Sequence, residues 1–124
     1  MKNIVVRNTT QTPIYQQIYD QISSQIINGD LKPDQLLPSM RTAAKELRVS
    51  IITIKKTWEM LESKGLIYTI QGKGSYVRSY TQMDLDEKKK ETIRQALRET
   101  LETLKSYDVS KDVLIEIINE LLNE

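Results

Sequence analysis

The residues of this chain that could do chemistry are cations and hydroxyls. Its 124 residues include no His and no Cys, which excludes disulfides, zinc sites built on thiolate or imidazole, and catalysis by these side chains. The carboxylates after residue 84 belong to helix surfaces without an evident pocket, so we expect no general acid–base role. Oxygen-only Ca²⁺ or Mg²⁺ sites stay open, but the sequence predicts no enzyme, no cofactor and no metal site.

Arg41 is the first candidate for binding an anionic partner. Its guanidinium can bind guanine O6 and N7, or a phosphate, through two parallel hydrogen bonds. The alternative is an arginine that is solvated on a helix surface or paired with Glu46.

A second group of candidates lies between residues 50 and 56. Ser50 and Thr53 can donate hydrogen bonds to phosphates, and Lys55 and Lys56 can neutralise them. Ser50 can also cap a helix, a role that is compatible with phosphate contact. Lysines on an outer helix face are commonly only solvated, and this is the alternative for both of them.

Ile51 and Ile52 belong to the same group although neither can form a hydrogen bond through its side chain. Ile51 falls off the predicted buried face, which is formed by Ile54, Trp58 and Leu61. Contact with a thymine methyl group in the DNA major groove would explain it. Partial burial against the preceding helix would explain it equally well, and the sequence leaves both interpretations open.

Lys73 stands between two glycines, Gly72 and Gly74. Such a run could suggest a nucleotide-binding loop, but that loop requires a strand before it and a helix after it. Extended segments flank this run on both sides, so we predict a hairpin tip whose lysine reaches the DNA minor groove or phosphates. A plain hairpin turn without a DNA contact is the alternative.

The apolar spacing predicts the elements that position these groups. A four-residue apolar period predicts a first helix that begins at Pro13, with Thr12 as its N-cap, and stops at Asn28. Ser39 and Ser50 are the predicted N-caps of a short second helix and a longer third helix. Two short helices joined by a few residues are typical of a helix-turn-helix.

Extended segments at 66–71 and 75–78 predict a β-hairpin after the third helix. Three helices followed by a hairpin form a winged helix-turn-helix. Residues 1–11 are polar and β-branched, and we interpret them as an arm or a short edge strand. The predicted fold class is therefore mainly α with a small β-hairpin.

The rest of the chain predicts a polar linker and two helices. The first helix is expected from about residue 86 to 107, with capping-box spacing between Asp84 and Glu87, and the second starts at Ser110. Their apolar stripes exceed what about 40 residues can bury alone, so we predict a homodimer. The predicted dimer contacts are Leu97, Leu101, Leu104, Ile117, Leu121 and Leu122.

These elements divide the chain into a winged helix-turn-helix DNA-binding domain (residues 1–78), a linker (79–84) and a helical dimerisation tail (85–124). The charge divides in a similar way. Residues 1–80 hold eleven Lys and Arg against six Asp and Glu, a net charge of +5, whereas residues 81–124 hold seven against eleven, a net charge of −4. Without a long apolar run for a membrane span or a signal peptide, we expect a cytoplasmic protein.

An ordered set of short motifs between residues 13 and 77 resembles the DNA-binding domain of the GntR family of transcription regulators. The matching pieces, in register and without gaps, are PIYQQI (13–18), INGDLKPD (27–34), LPSMR (37–41), VS (49–50) with TIK (53–55), LESKGLI (61–67) and QGKGSYV (71–77). The remainder is similar to the YtrA-like subfamily, whose tail is two short helices, whereas other subfamilies append much larger domains.

The resemblance implies a dimeric repressor, often of the genes of an ABC transporter encoded beside it. The two-fold symmetry of a dimer then predicts a palindromic operator in double-stranded DNA. The resemblance also implies that Arg41 contacts DNA and that the helix beginning at Ser50 enters the major groove. The predicted hairpin, which is the wing, would lie near the minor groove. The family usually has Glu at position 40, Gly at position 48 and Arg at position 51, where this chain has Met40, Arg48 and Ile51.

A protein-interaction adaptor built on a winged helix is the alternative function, because a fold does not fix a function. The +5 net charge of residues 1–80, together with Arg41 and Lys73, favours DNA. The tail is too small for an obvious ligand cavity, so the sequence leaves two alternatives: no small-molecule effector, or one that binds between the subunits.

Overall fold

The computed structural model describes residues 3–124 and separates the chain into two compact units, Met1–Asp86 and Glu87–Glu124. Residues 1 and 2, where the predicted N-terminal arm begins, lie outside the described residues. The elements are α1 (Ile14–Ile27), α2 (Met40–Leu47), α3 (Ile51–Ser63), β1 (Ile67–Ile70), β2 (Gly74–Val77), α4 (Gln82–Leu104) and α5 (Lys111–Leu122), with a 3₁₀ turn over Lys105–Tyr107. This order confirms the predicted fold class. None of the helices in residues 3–124 combines the length and the apolar character that crossing a bilayer requires.

The core of the first unit forms where the apolar faces of the helices meet the wing. Ile18 and Ile22 of α1, Ile54 and Leu61 of α3, and Ile67 of β1 are fully buried. Each such side chain stabilises the fold by about 1.5–3 kcal/mol relative to exposure. This packing fixes the rotation of α3 about its own axis and so decides which residues of α3 point outward.

Both helices of the helix-turn-helix, α2 and α3, begin at a side-chain cap. Ser39 Oγ accepts from the Thr42 N–H, and Ser50 Oγ accepts from the Thr53 N–H, each at 3.1 Å. Both predicted caps are confirmed. Arg48 ends α2 in the left-handed conformation, with φ 57° and ψ 47°, at the position where the family resemblance implies glycine. An L-residue in this region costs roughly 1–2 kcal/mol.

The start of α1 differs from the prediction. Pro13 is the N-cap, and its carbonyl accepts from the N–H groups of Gln16 and Gln17, both at 3.1 Å. The prediction of Thr12 as the cap was wrong, because the Thr12 carbonyl is instead bound by Gln17 Nε2 at 2.9 Å. The glutamine amide thus holds the chain that enters the helix.

Residues 3–12 run alongside α1 as an arm without regular secondary structure. Two glutamines of α1 bind it at alternate residues. Gln21 bonds both backbone groups of Val5, and Gln17 bonds both backbone groups of Arg7. The arm interpretation is confirmed for residues 3–11 and the edge strand is not formed there, because side-chain amides satisfy the arm's backbone.

The wing contains more backbone pairing than the predicted hairpin. Strands β1 and β2 pair antiparallel from Ile67 opposite Val77 to Ile70 opposite Gly74. Residues 34–37 add a third segment beside β2, because the N–H groups of Asp34 and Leu37 donate to β2 carbonyls at 2.8 Å. This segment therefore ties the approach to α2 to the wing.

Helix α4 begins at Gln82, four residues before the predicted start. Its capping box uses Thr81 and Asp84: Thr81 Oγ1 accepts from the Asp84 N–H at 3.1 Å, and Asp84 Oδ2 accepts from the Thr81 N–H at 3.3 Å. The predicted capping box between Asp84 and Glu87 was wrong, because the helix begins one turn earlier, at the Thr81–Asp84 pair, which has the same spacing. The helix also ends earlier than predicted, at Leu104, while Ser110 caps α5 as predicted.

Candidate nucleic-acid interface

The first turn of α3 is the part of the molecule that the sequence predicts to meet a DNA groove. Its apolar inner face is locked into the core through Ile54, which is fully buried. The outward side chains of this turn are therefore held in a fixed direction, as base recognition by a helix requires.

Ser50 and Thr53 are engaged with each other at the helix cap. Their hydroxyl oxygens lie 2.8 Å apart, so one of the two hydroxyl hydrogens is used between them. Ser50 Oγ also accepts from the Thr53 N–H. One hydroxyl hydrogen is left for a phosphate or a base, which reduces the polar contact that the sequence predicts here.

Ile51 and Ile52 point away from the core. Ile51 is 46% exposed and Ile52 is 81% exposed. About half of the Ile51 surface is covered, so this exposure agrees with partial burial as well as with contact to a partner. Both remain available to a partner.

The two lysines of this helix differ in their surroundings. Lys55 is exposed and makes no hydrogen bond or ion pair with any residue from 3 to 124. Lys56 Nζ lies 3.9 Å from the ring centroid of Tyr15, which stands on α1. A cation–π contact of this kind contributes about 0.5–1 kcal/mol at an exposed site, so a phosphate would have to draw Lys56 from this ring.

Arg41 is exposed on the first turn of α2, directly after the Ser39 cap. Its guanidinium makes no ion pair within the described part of the chain, so the pairing with Glu46 does not form. Arg41 is thus available for the DNA contact that the family resemblance implies.

The wing tip consists of residues 71–73 between the two strands. Gly72 has φ 83° and Gly74 has φ 130°, values that favour glycine. A Cβ at Gly74 would also lie 3.0 Å from Leu36 Cδ1. Lys73 is exposed, and a strand rather than a helix follows it, which excludes the nucleotide-binding loop and confirms a hairpin tip.

The wing carries an aromatic cluster that the sequence analysis did not identify. Tyr68 and Tyr76 stack with ring centroids 5.5 Å apart, and Arg78 lies 5.8 Å from the Tyr68 ring. The Tyr68 hydroxyl donates to Asp34 Oδ1 at 2.9 Å, and this hydrogen bond raises the pKa of Tyr68. Tyr68 and Tyr76 are opposite each other in the hairpin register. Assigning residues 71–73 to the tip from the sequence would have predicted this pair.

Arg48 is a second residue that the sequence analysis did not assign to the site. It occupies the turn between α2 and α3, is exposed, and forms no side-chain ion pair among residues 3–124. A cation at this turn lies between the two helices that would face DNA, and the departure from glycine in the sequence was the available signal.

The predicted dimer contacts lie in the second unit and remain uncovered in the single chain. Five of them are exposed and one is partly buried: Leu97, Leu101, Ile117, Leu121 and Leu122 are exposed, and Leu104 is partly buried. No residue of Glu87–Glu124 is buried. An apolar surface of this kind, on helices of 23 and 12 residues, is typical of a surface that binds a partner.

Comparison with known proteins identifies the family. A family model described as bacterial regulatory proteins, gntR family, matches residues 14–77. The HTH-type transcriptional repressor YtrA of Bacillus subtilis is 31% identical over 112 residues, which are 90% of this chain and 86% of that protein. The repressor NagR of the same organism is 38% identical over 72 residues, but the match covers only 30% of NagR.

Solved structures agree with this assignment. YtrA from Sulfolobus acidocaldarius, a GntR-family transcription factor, superposes with a TM-score of 0.59 at 35% identity over 77% of this chain and 97% of that chain. AraR(DBD) in complex with operator ORX1 superposes with a TM-score of 0.54 at 34% identity over 59% of this chain and 92% of that chain. With its helix-turn-helix, its glycine-flanked wing tip and a likeness to YtrA that extends over nine tenths of its length, this chain belongs to the gntR family of bacterial regulatory proteins.

Proposed function

We propose that this gntR-family protein represses transcription as a homodimer bound to a palindromic operator in double-stranded DNA. One observation carries the proposal: three exposed cations without ion-pair partners among residues 3–124, Arg41, Lys55 and Lys73, stand on the helix-turn-helix and the wing. Relatives named transcriptional repressors, and the AraR(DBD)–operator complex, support the same function.

In this proposal α3 enters the major groove and the wing tip lies over the adjacent minor groove. The first turn, residues 50–53, faces base edges, while Lys55 and Lys56 lie near the phosphates. Arg41 of α2 contacts a base or phosphate, and Gly72, Lys73 and Gly74 of the wing approach the DNA backbone closely.

The dimer follows from the uncovered leucines and isoleucines of α4 and α5. Covering an apolar stripe on each helix with the same stripe of a second copy gives a two-fold assembly, and two-fold symmetry matches a palindromic operator. The net charge of −4 on residues 81–124 disfavours contact of the tail with DNA phosphates.

The proposal extends to the protein's setting. It acts on DNA in the cytoplasm, as a binding protein rather than an enzyme, and needs no metal or cofactor. Its resemblance to the YtrA-like subfamily supports an operon of the transporter type as its target.

Leu101→Asp in the full chain is expected to give a monomer in sedimentation, whereas Thr103→Asp, an exposed neighbour off the stripe, should leave the dimer intact.

Selection from a random duplex pool tests the DNA-binding part. The protein should enrich a palindromic site, and log Kd should change with log salt by about 0.9 for each phosphate contact. Absence of any enriched sequence, with binding that depends only on salt, would refute sequence-specific regulation and favour the adaptor function.

A further inference from the structure

The first turn of α3 offers a DNA groove more apolar surface than hydrogen-bonding capacity. Ile52, at 81% exposure, is the most exposed of the large hydrophobic residues in the described part of the chain, and Ile51 beside it is 46% exposed. Single exposed apolar side chains are common on protein surfaces. Two in succession at the tip of a recognition helix are a concentrated feature that calls for a specific partner.

The polar groups of the same turn are largely engaged. Ser50 and Thr53 share one hydroxyl hydrogen between them at 2.8 Å, and in the next turn Lys56 is held over the Tyr15 ring at 3.9 Å. Neither isoleucine can accept or donate a hydrogen bond through its side chain. Recognition of bases by this turn must therefore depend mainly on shape and apolar contact.

The apolar group that a base pair exposes in the major groove is the C5 methyl group of thymine. Building on the proposed function, we propose that Ile51 and Ile52 form one methyl-reading surface, with Ile52 as its main contact. The chemical class that it recognises is a 5-methylpyrimidine, so a half-site carries thymine opposite this turn. What is read is the methyl group, not the Watson–Crick pair that holds it.

Charge favours DNA over an apolar protein partner for this surface. Lys55 stands three residues after Ile52 and four after Ile51, so it neighbours both on the helix surface. A cation with no partner among residues 3–124 would suit a phosphate beside the contacted bases. The net charge of +5 on residues 1–80 favours the same anionic partner.

Replacing thymine by deoxyuridine tests the proposal, because it deletes only the methyl group and retains the base pair. In the selected operator, each thymine of a half-site is replaced in turn, symmetrically in both halves. At one position or two neighbouring positions we expect affinity to fall by about fivefold for each half-site, the loss that corresponds to a few tens of Å² of apolar contact. Replacing the sensitive thymine by cytosine should weaken binding, and 5-methylcytosine should recover about the same factor.

The variants Ile52→Ala and Lys73→Ala separate methyl reading from general affinity. Ile52→Ala should bind the thymine and deoxyuridine operators almost equally, while Lys73→Ala should bind both more weakly and keep the fivefold difference. Because Ile52 is exposed, its truncation is expected to leave the thermal unfolding midpoint unchanged, which checks that the variant folds.

The outcomes distinguish this inference from the function on which it depends. Sequence-specific binding without sensitivity to deoxyuridine at any position would overturn methyl reading and leave the regulator intact. Sensitivity that persists in Ile52→Ala would also overturn it. No sequence-specific duplex binding at all would refute the proposed function, and methyl reading with it.

Discussion

The side-chain amide of Gln21 bonds both backbone polar groups of Val5. Gln21 Oε1 accepts from the Val5 N–H at 2.8 Å, and Gln21 Nε2 donates to the Val5 carbonyl at 2.7 Å. A neighbouring β-strand would satisfy a residue in the same way. The pair thus fixes the arm against α1 and lets Ile4 and Val6, on either side of Val5, pack onto the core.

Gln21→Ala should lower the free energy of unfolding by about 1–3 kcal/mol, because the variant cannot form the two hydrogen bonds to the arm and each contributes about 0.5–1.5 kcal/mol. Gln16→Ala on the same helix is the control, since the Gln16 side chain bonds the Asp20 side chain and no other group among residues 3–124. It should cost under about 0.5 kcal/mol. Equal losses in urea denaturation would contradict the role given to Gln21.

Arg48→Gly should raise the free energy of unfolding by about 0.5–1 kcal/mol. The residue has φ 57°, and glycine adopts this conformation without the steric cost of a Cβ. Arg48→Ala removes the same charged group but keeps the Cβ, so it should bring no gain. If both variants are stabilised to a similar extent, the cause is the loss of the positive charge and not relief of the backbone conformation.

Arg41→Ala should weaken operator binding by about 1–3 kcal/mol and relax selectivity at one position of each half-site, if the guanidinium binds a base. The measurement is the affinity for a set of operators that vary at a single position. Uniform weakening across the set would instead indicate a phosphate contact.

Lys73→Ala should weaken binding to all sequences alike and reduce the salt slope by about one unit for each phosphate that the lysine neutralises in the complex. Lys111→Ala, which removes the same charge from the exposed start of α5, is the matched control and should leave the slope unchanged. If Arg41→Ala and Lys73→Ala behave identically, their assigned roles are wrong.

Ile51→Arg should shift the preferred pair opposite this position from A·T to G·C, because a guanidinium can bind guanine O6 and N7 whereas isoleucine offers only methyl surface. Selection from a random pool with both proteins measures the shift. Selection of G·C by the unaltered protein, or of unchanged sites by the variant, would show that Ile51 does not read a base.

Local patterns in the sequence determine most of the first unit. The caps at Ser39 and Ser50 were predictable because a cap involves residues three apart. The start of α4 was not, since Thr81–Asp84 and Asp84–Glu87 have the same spacing and only the structure shows which pair closes.

Contacts between distant residues were beyond the sequence analysis. Tyr15 and Lys56 meet only because α1 packs on α3, and nothing in the local sequence of either residue indicates the cation–π contact. The exposure of Ile52 depends in the same way on how deeply Ile54 is buried. Candidates for the interface could therefore be proposed from sequence, but the exposure and the contacts of their side chains could not.

The third backbone segment of the wing has a consequence for solubility. Because residues 34–37 bond to one side of β2 and β1 bonds to the other, β2 presents no open edge to another chain. Pro33 and Pro38 flank the added segment, and proline cannot donate to a further strand. Edge-to-edge pairing with another chain is thereby blocked at β2, the strand that follows the exposed tip.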